Sequence, residues 1–470
     1  MRLSSALLAA SLLLGAVPAI AAPYAPPAIQ IGQAFKEGGA WVPAGGAVAS
    51  PADRWWEMFG DPTLSGLEAR IESANPSLAA AAARYTEASA ALARARGGFW
   101  PSIGVGGAAE RNRLSAGRPQ ANNSVTYNDA SVGASLSYEL DLFGRIRGQS
   151  RQARALAEAA GHDLAAVRLG LQMQLAAAYF ELRGLDARAE LLDVTVEAYQ
   201  RAFDLTSTRH DGGLASGVEV AQAQSQLSTA RAEVEAVAAR RAEAEHAVAI
   251  LIGEVPGVFS LAASSLQPPA PAVPVSLPSA VLERRPDIQA AERRVAAANA
   301  AIGVARTAYF PSITLGAAAG FQTSHGELLT TPNRYWALGP LSAAAILFDG
   351  GRRRAGVRIS QAQYDEAAAD YRQTVLTAFG EVEDDLVSAR RMAAQITHQT
   401  TATEAARRAE EIALDRYRDG AADYVEVVTA QTASLAAQSA LIELRTRQLI
   451  LAADLVRAQG GLTPAADPAP

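Results

Sequence analysis

The 470-residue chain has no cysteine, so it carries no disulfide framework, no thiolate metal site and no residue that can be acylated through sulfur. Aromatic residues make up only 6% of it. No apolar run reaches the roughly 20 residues that a membrane-spanning helix needs. Histidine is scarce as well: His162, His210, His246, His325 and His398 stand far apart, with no metal-ligand spacing. Net charge is −6, which gives no electrostatic reason to bind nucleic acid. Gly104-Val105-Gly106-Gly107 lacks the Lys-Ser or Lys-Thr of a phosphate loop. No nucleophile, metal cluster or carboxylate pair marks an enzyme, and no cofactor is expected.

Proline is missing in an informative way. None occurs from Gln120 to Val255 or from Leu341 to Thr463, while prolines crowd residues 23–62 and 256–286. Proline breaks helix interiors, so two proline-free spans rich in Ala, Leu, Arg, Glu and Gln point to very long helices.

At the start, Arg2, an apolar stretch from Ala6 to Val17 and Ala19-Ile20-Ala21 have the form of a signal peptide over residues 1–21, cleaved before Ala22. An exported chain without a spanning helix can cross a membrane only as a closed β-barrel, where every backbone N–H and C=O is paired.

The chain is also duplicated. Pro76, Arg84, Arg96 and Pro101-Ser102-Ile103 recur as Pro286, Arg294, Arg306 and Pro311-Ser312-Ile313, 210 positions on. At an offset of 207, Arg209, Gly213, Val218-Glu219-Val220 and Ala223-Gln224 recur as Arg416, Gly420, Val425-Glu426-Val427 and Ala430-Gln431. So regular an offset indicates a tandem repeat. The expected organisation is an N-terminal segment over 22–74, a first repeat over 75–255, a Pro-rich linker over 256–285, a second repeat over 286–461 and a tail over 462–470.

Each repeat reads as a short helix, two strands, a long helix, a turn at Gly213 or Gly420, and a returning helix. Ser131 to Asp141 alternates, with Val132, Ala134, Leu136, Tyr138 and Leu140 on one face; Ile313, Leu315, Ala317, Ala319 and Phe321 do likewise. The strands from Ile103 and Trp336 are assigned by their place in the repeat. The ascending helix, from about Arg147 to His210, spans roughly 95 Å at about 1.5 Å per residue. The returning helix, Val218 to Gly253, and the short helix Pro286 to Ala308 nearly match that length together, which suggests that they stack end to end beside it. Val220, Ala223, Leu227, Ala230, Val234 and Val237 have coiled-coil spacing, and Val427, Ala430, Ser434, Ala437, Leu441 and Leu444 keep the same phase. The acidic run Glu381, Glu383, Asp384, Asp385 reads as a solvated helix face. Four strands are too few to close a barrel, so several copies must contribute, by default with closed symmetry.

Several motifs carry a family resemblance. Arg54-Trp55-Trp56, Phe59-Gly60-Asp61-Pro62 and Asn75-Pro76-Ser77-Leu78 resemble the opening of the outer-membrane efflux proteins of the TolC and OprM type. Glu283-Arg284-Arg285-Pro286-Asp287-Ile288, Tyr309-Phe310-Pro311-Ser312-Ile313, Asp141-Leu142-Phe143-Gly144-Arg145 and Leu347-Phe348-Asp349-Gly350-Gly351-Arg352 resemble later motifs of that family. The resemblance runs from about Trp55 to Gly461. It implies a mainly α fold with a β-barrel portion: a homotrimer with four strands per chain, a twelve-stranded barrel in outer-membrane lipid and a long periplasmic α-helical barrel. It further implies docking to a periplasmic adaptor protein and an inner-membrane pump, typically of the resistance-nodulation-division class. Where OprM-type relatives often carry a lipid-modified Cys, this chain has Ala22, so anchoring by the barrel alone is expected.

The candidate site lies at the turns, which the family places at the periplasmic tip. Tyr417 and Gly420 resemble the family's Tyr and Gly. Glu426, with Asp423 nearby, would form a carboxylate ring in a trimer, able to attract cations and gate. A second acid that the family often has three residues on is Thr429 here. Glu426 and Glu219 also fit a simpler role, as negative charge in the first turn of a helix. Arg209 and Asp211, with Arg416, Arg418 and Asp419, are candidates for salt bridges that hold the tip shut. Alternative readings are a type I protein secretion channel, or a periplasmic coiled-coil scaffold or adaptor.

Overall fold

The computed structural model describes residues 24–29, 35–38, 54–115, 126–265, 268–273, 281–282 and 284–461. The signal-peptide reading over 1–21, residues 266–267, 274–280 and 283 of the Pro-rich linker, and the tail over 462–470 fall outside these residues. Helices α1 (Pro62–Ala74) and α2 (Pro76–Gly97) lead into strands β1 (Ser102–Arg113) and β2 (Thr126–Glu139), then α3 (Arg145–Asp211) and α4 (Gly217–Leu251). The same succession follows in the second half: α5 (Pro286–Thr307), β3 (Ser312–Thr323), β4 (Arg334–Ala344), α6 (Arg352–Arg418) and α7 (Tyr424–Ala458). Both α3 and α6 are 67 residues long, about 100 Å at 1.5 Å per residue. Among the described residues, no helix is long and apolar enough to cross a membrane.

The chain divides into two compact units. One comprises residues 1–28, 84–161 and 290–371, and holds the strands. They form a single antiparallel sheet in the order β1-β2-β3-β4, with β1 and β4 at its edges. Directly opposed residues share a face. The register aligns Ile103, Leu136, Ala317 and Leu338 in one row, and Val105, Ala134, Ala319 and Trp336 in the next. One face is therefore an apolar band, and its outer members are open: Val105 is 81% and Trp336 81% exposed. On the other face Gly133, Gly320 and Tyr335 share a row. There the Tyr335 ring occupies the space of missing side chains: a Cβ at Gly133 would lie 2.7 Å from its hydroxyl, and one at Gly320 would lie 3.1 Å from Cε1.

Strand β2 starts five residues before the alternating stretch, because residues 126–130, polar except for Ala130, pair with Ala109–Arg113. It ends at Glu139 because Asp141 turns back to cap α3, accepting from the N–H of Ile146 (3.0 Å) and Arg147 (2.9 Å). Asp349 does the same for α6 through Gly351 and Arg353, both at 3.0 Å.

The second unit, residues 29–83, 162–289 and 372–470, holds the main core. Trp55, Leu64, Ile71, Leu175, Phe180 and Ile252 are almost completely buried there. Asp61 starts α1 by accepting from the N–H of Thr63 and Leu64, takes the Tyr179 hydroxyl at 2.5 Å, and is followed by Pro62 in the first turn. Asn75 accepts from Ser77 and Leu78 N–H to start α2, and donates to the Leu251 carbonyl at 2.7 Å. These contacts explain the Asp-Pro and Asn-Pro motifs.

The acidic run is not the solvated face that was expected. Glu381 pairs with Arg285 (2.8 Å) and Arg457 (3.1 Å). Glu383 accepts the backbone N–H of Lys36 and Glu37 at 2.7 and 2.8 Å. Asp385 is largely withdrawn from water, and burial next to Asp454 pushes its carboxyl up to about 7. Only Asp384 is exposed. Local charge patterning carries no information on Arg285, which arrives from about a hundred residues earlier in the chain.

Candidate functional site at the hairpin turns

Both long helices end the same way. Gly213 N–H reaches the His210 carbonyl (2.8 Å) and Leu214 N–H that of Arg209 (2.7 Å). In the second hairpin Gly420 bonds to Tyr417 (3.0 Å) and Ala421 to Arg416 (2.8 Å). This is the Schellman arrangement, which needs a left-handed residue at its corner. Gly213 has φ 73° and Gly420 φ 76°, so glycine is strongly favoured at each.

The start of each returning helix differs. Ser216 caps α4: its hydroxyl accepts from Glu219 N–H (3.3 Å), and the Glu219 carboxylate accepts from Ser216 N–H (3.0 Å), a complete capping box. Asp423 is the N-cap of α7 but its side chain makes no cap bond. Glu426, at the position of Glu219, reaches instead to Arg416 at 2.8 Å. Both glutamates lie in the first turn of their helix, as the simpler role requires; Glu219 adds a capping box, whereas the Glu426 carboxylate bonds to Arg416.

Between the hairpins lies a small core of Ala202, Ala223, Tyr417, Tyr424 and Val427. The Tyr417 and Tyr424 rings meet edge to face with centroids 5.3 Å apart. Thr206 and the Tyr417 hydroxyl share a buried 3.2 Å hydrogen bond. The Arg209 guanidinium lies over the Tyr417 ring, 4.6 Å from its centroid, and donates to the Tyr417 carbonyl. Burial, and then Tyr417, push the Tyr424 hydroxyl up to about 12, so it stays neutral at any physiological pH. Gln226 of α4 donates to Thr432 of α7 at 3.1 Å and joins the returning helices.

Of the residues singled out from the sequence, Arg209, Tyr417 and Gly420 come together, as do Arg416 and Glu426. Gly213 and Glu219 serve the first turn alone. Arg418 pairs with Asp415 at 3.2 Å, an exposed neighbour on its own helix. Among the described residues, no ion pair joins Arg209 to a carboxylate, so its partner is an aromatic ring and a carbonyl rather than the expected acid. Thr206 and Tyr424 were not foreseen. For Tyr424 a signal was available: at the 207 offset Gly217 becomes Tyr424, as His210 becomes Tyr417, whereas Thr206 carried none. Among the described residues, no cluster suited to a metal ion exists.

Tandem helical hairpins of this length, attached to a sheet that is apolar on one face and open at both edges, define the class of outer-membrane exit channels. The chain belongs to the outer membrane efflux protein family, whose model matches residues 69–254 and 277–461. It is 32% identical over 452 residues to the antibiotic efflux pump outer membrane protein ArpC of Pseudomonas putida, covering 95% of this chain and 92% of that one. It is 32% identical over 461 residues to the pyoverdine export outer membrane protein OpmQ of Pseudomonas aeruginosa, covering 97% and 96%. Among solved structures, the outer-membrane channel OprN superposes with a TM-score of 0.85 at 30% identity, covering 93% of this chain and 99% of OprN. VceC from Vibrio cholerae gives 0.80 at 28% identity, covering 88% and 99%. The protein is thus an outer-membrane efflux channel, with the helical and β portions of that fold.

Proposed function

We propose that three copies of this chain close one passive duct, through which compounds handed over by an inner-membrane pump and a periplasmic adaptor leave the cell. The observation that carries this reading is the sheet. Its band of exposed apolar residues suits lipid, and its two edge strands have no further strand partner among the described residues. Three sheets of four strands give a twelve-stranded barrel, well above the practical minimum of about eight. In this reading residues 1–21 are an export signal, and the two repeats, 75–255 and 286–461, each contribute a strand pair and a hairpin.

The duct performs no reaction of its own, so the energy comes from the pump, of the resistance-nodulation-division class. Antibiotic and pyoverdine export by such similar relatives fits a duct that leaves selection to the pump. The turns form the closing end. Tyr417, held by Arg209 and Thr206, fastens the second hairpin to the first, while Glu426, with Asp423 beside it, presents a carboxylate ring that favours cations. Leu214, Val218 and Val425, all exposed, offer the adaptor an apolar surface at the same end.

Outer-membrane fractionation followed by light scattering of the detergent extract tests the assembly. A particle of three protein masses is expected. A monomer of 48.9 kDa or less in the periplasmic fraction would rule out the barrel.

A further inference from the structure

The four junctions between strands and helices share an unusual composition. Residues 94–100, 139–151, 304–312 and 344–358 contain ten arginines and three carboxylates, a net charge of +7 in a chain whose total is −6. At the opposite end of the strands, residues 110–129 and 322–334 hold four arginines against three carboxylates. Positive charge is therefore gathered on one side of the apolar band.

The carboxylates are already committed. Glu139 pairs with Arg145, Asp141 with Arg147 and Asp349 with Arg353. Among the described residues, Arg94, Arg96, Arg306, Arg352, Arg354 and Arg358 have no carboxylate partner, and all six are exposed. Helix dipoles account for only some of them. Arg94, Arg96 and Arg306 sit in the last turns of α2 and α5, where a cation is favoured. Arg352 and Arg354 open α6, whose first turn has no acid, and there the dipole opposes a cation. Local helix energetics thus give no reason for these two.

Large apolar side chains stand beside them: Trp100 is 77%, Leu347 94% and Phe348 90% exposed. Arginine next to exposed aromatic and aliphatic side chains, at the margin of an apolar band, is what a membrane boundary selects: the apolar groups enter the acyl region and the guanidinium groups meet phosphates.

We propose that this rim binds the anionic headgroups of phospholipids in the leaflet on the strand–helix side, a contact that rests on the sheet lying in the membrane as read above. The rim sets the depth of the barrel and makes it select acidic over zwitterionic lipid.

The test uses the full chain, reconstituted in vesicles of equal phosphatidylglycerol and phosphatidylcholine and then released for native mass spectrometry of retained lipid. Phosphatidylglycerol should be enriched about fivefold, with the enrichment falling at high salt. In a variant carrying Arg96→Gln, Arg306→Gln, Arg352→Gln and Arg354→Gln it should drop below about twofold, and the matching four Arg→Lys changes should retain it. Equal retention in wild type and the Gln variant would overturn the proposal. So would displacement of the lipid by inorganic phosphate at the same phosphate concentration, which would indicate isolated anion sites. Ion conduction through the same vesicles separates the two readings. Conduction without enrichment overturns the rim alone, whereas absence of conduction in both the wild type and Arg209→Gln overturns the duct, and the enrichment ratio still decides the rim.

Discussion

The two hairpin turns have nearly the same backbone and are fastened differently. The first is self-contained: Ser216 and Glu219 satisfy each other's N–H groups across one helical turn. In the second, the equivalent residues Asp423 and Glu426 make no such box, and the turn is held by contacts from further away, Arg416 to Glu426 and Arg209 to Tyr417. A turn stabilised within itself keeps its shape when its neighbours move. A turn that depends on another hairpin can be released by breaking a few contacts, which is the property a gate needs. One corner is thus closed by its own capping box, and the other is held by contacts from further along the chain.

Tyr417→Ala should disturb the second turn most and leave the first in place. Tyr417 is 3% exposed and supplies an aromatic contact, a hydrogen bond and the seat of Arg209. Its loss should cost about 3–5 kcal/mol of local stability, seen as faster amide exchange over residues 413–430 while residues 213–220 are unchanged. Arg209→Gln should come next, at about 1–3 kcal/mol, since it removes a cation over a ring and a charge-assisted hydrogen bond. Ser216→Ala should cost about 1 kcal/mol, confined to the start of α4 in the same exchange experiment and without effect on conductance. Equal disturbance of both turns by Ser216→Ala would contradict the self-contained first turn. Glu426→Gln should have the smallest effect on stability, under about 1 kcal/mol for an exposed pair, but should reduce cation preference in single-channel recordings. Unchanged selectivity would remove Glu426 from the conducting path.

Much of the fold was legible in the sequence because it rests on local rules. Proline-free spans gave helix α3 within two residues at its start and one at its end, and alternation marked β2 and β3. Strands β1 and β4 are poor in such signals, with Gly104, Gly106 and Gly107 in one and Gly339-Pro340 in the other, and were found only through the repeat. What stayed hidden depends on residues distant in sequence. Arg285 meets Glu381 across 96 positions, and Arg209 meets Tyr417 across 208, so neither pairing leaves a trace in local charge patterning. At the site, the glycine corners and the place of Glu219 in a first helical turn were readable, since both are short-range, while its capping box with Ser216 was not drawn from the sequence. The choice of an aromatic ring over a carboxylate as partner for Arg209 was not, because it is settled by what the second hairpin presents.

The most direct test of the releasable corner is single-channel conductance of the reconstituted wild type beside Arg209→Gln and Ser216→Ala in the same bilayer. Arg209→Gln should show a larger, more often open conductance, and Ser216→Ala should behave as wild type. Wild-type conductance in Arg209→Gln, or an opening produced by Ser216→Ala instead, would contradict a releasable second corner.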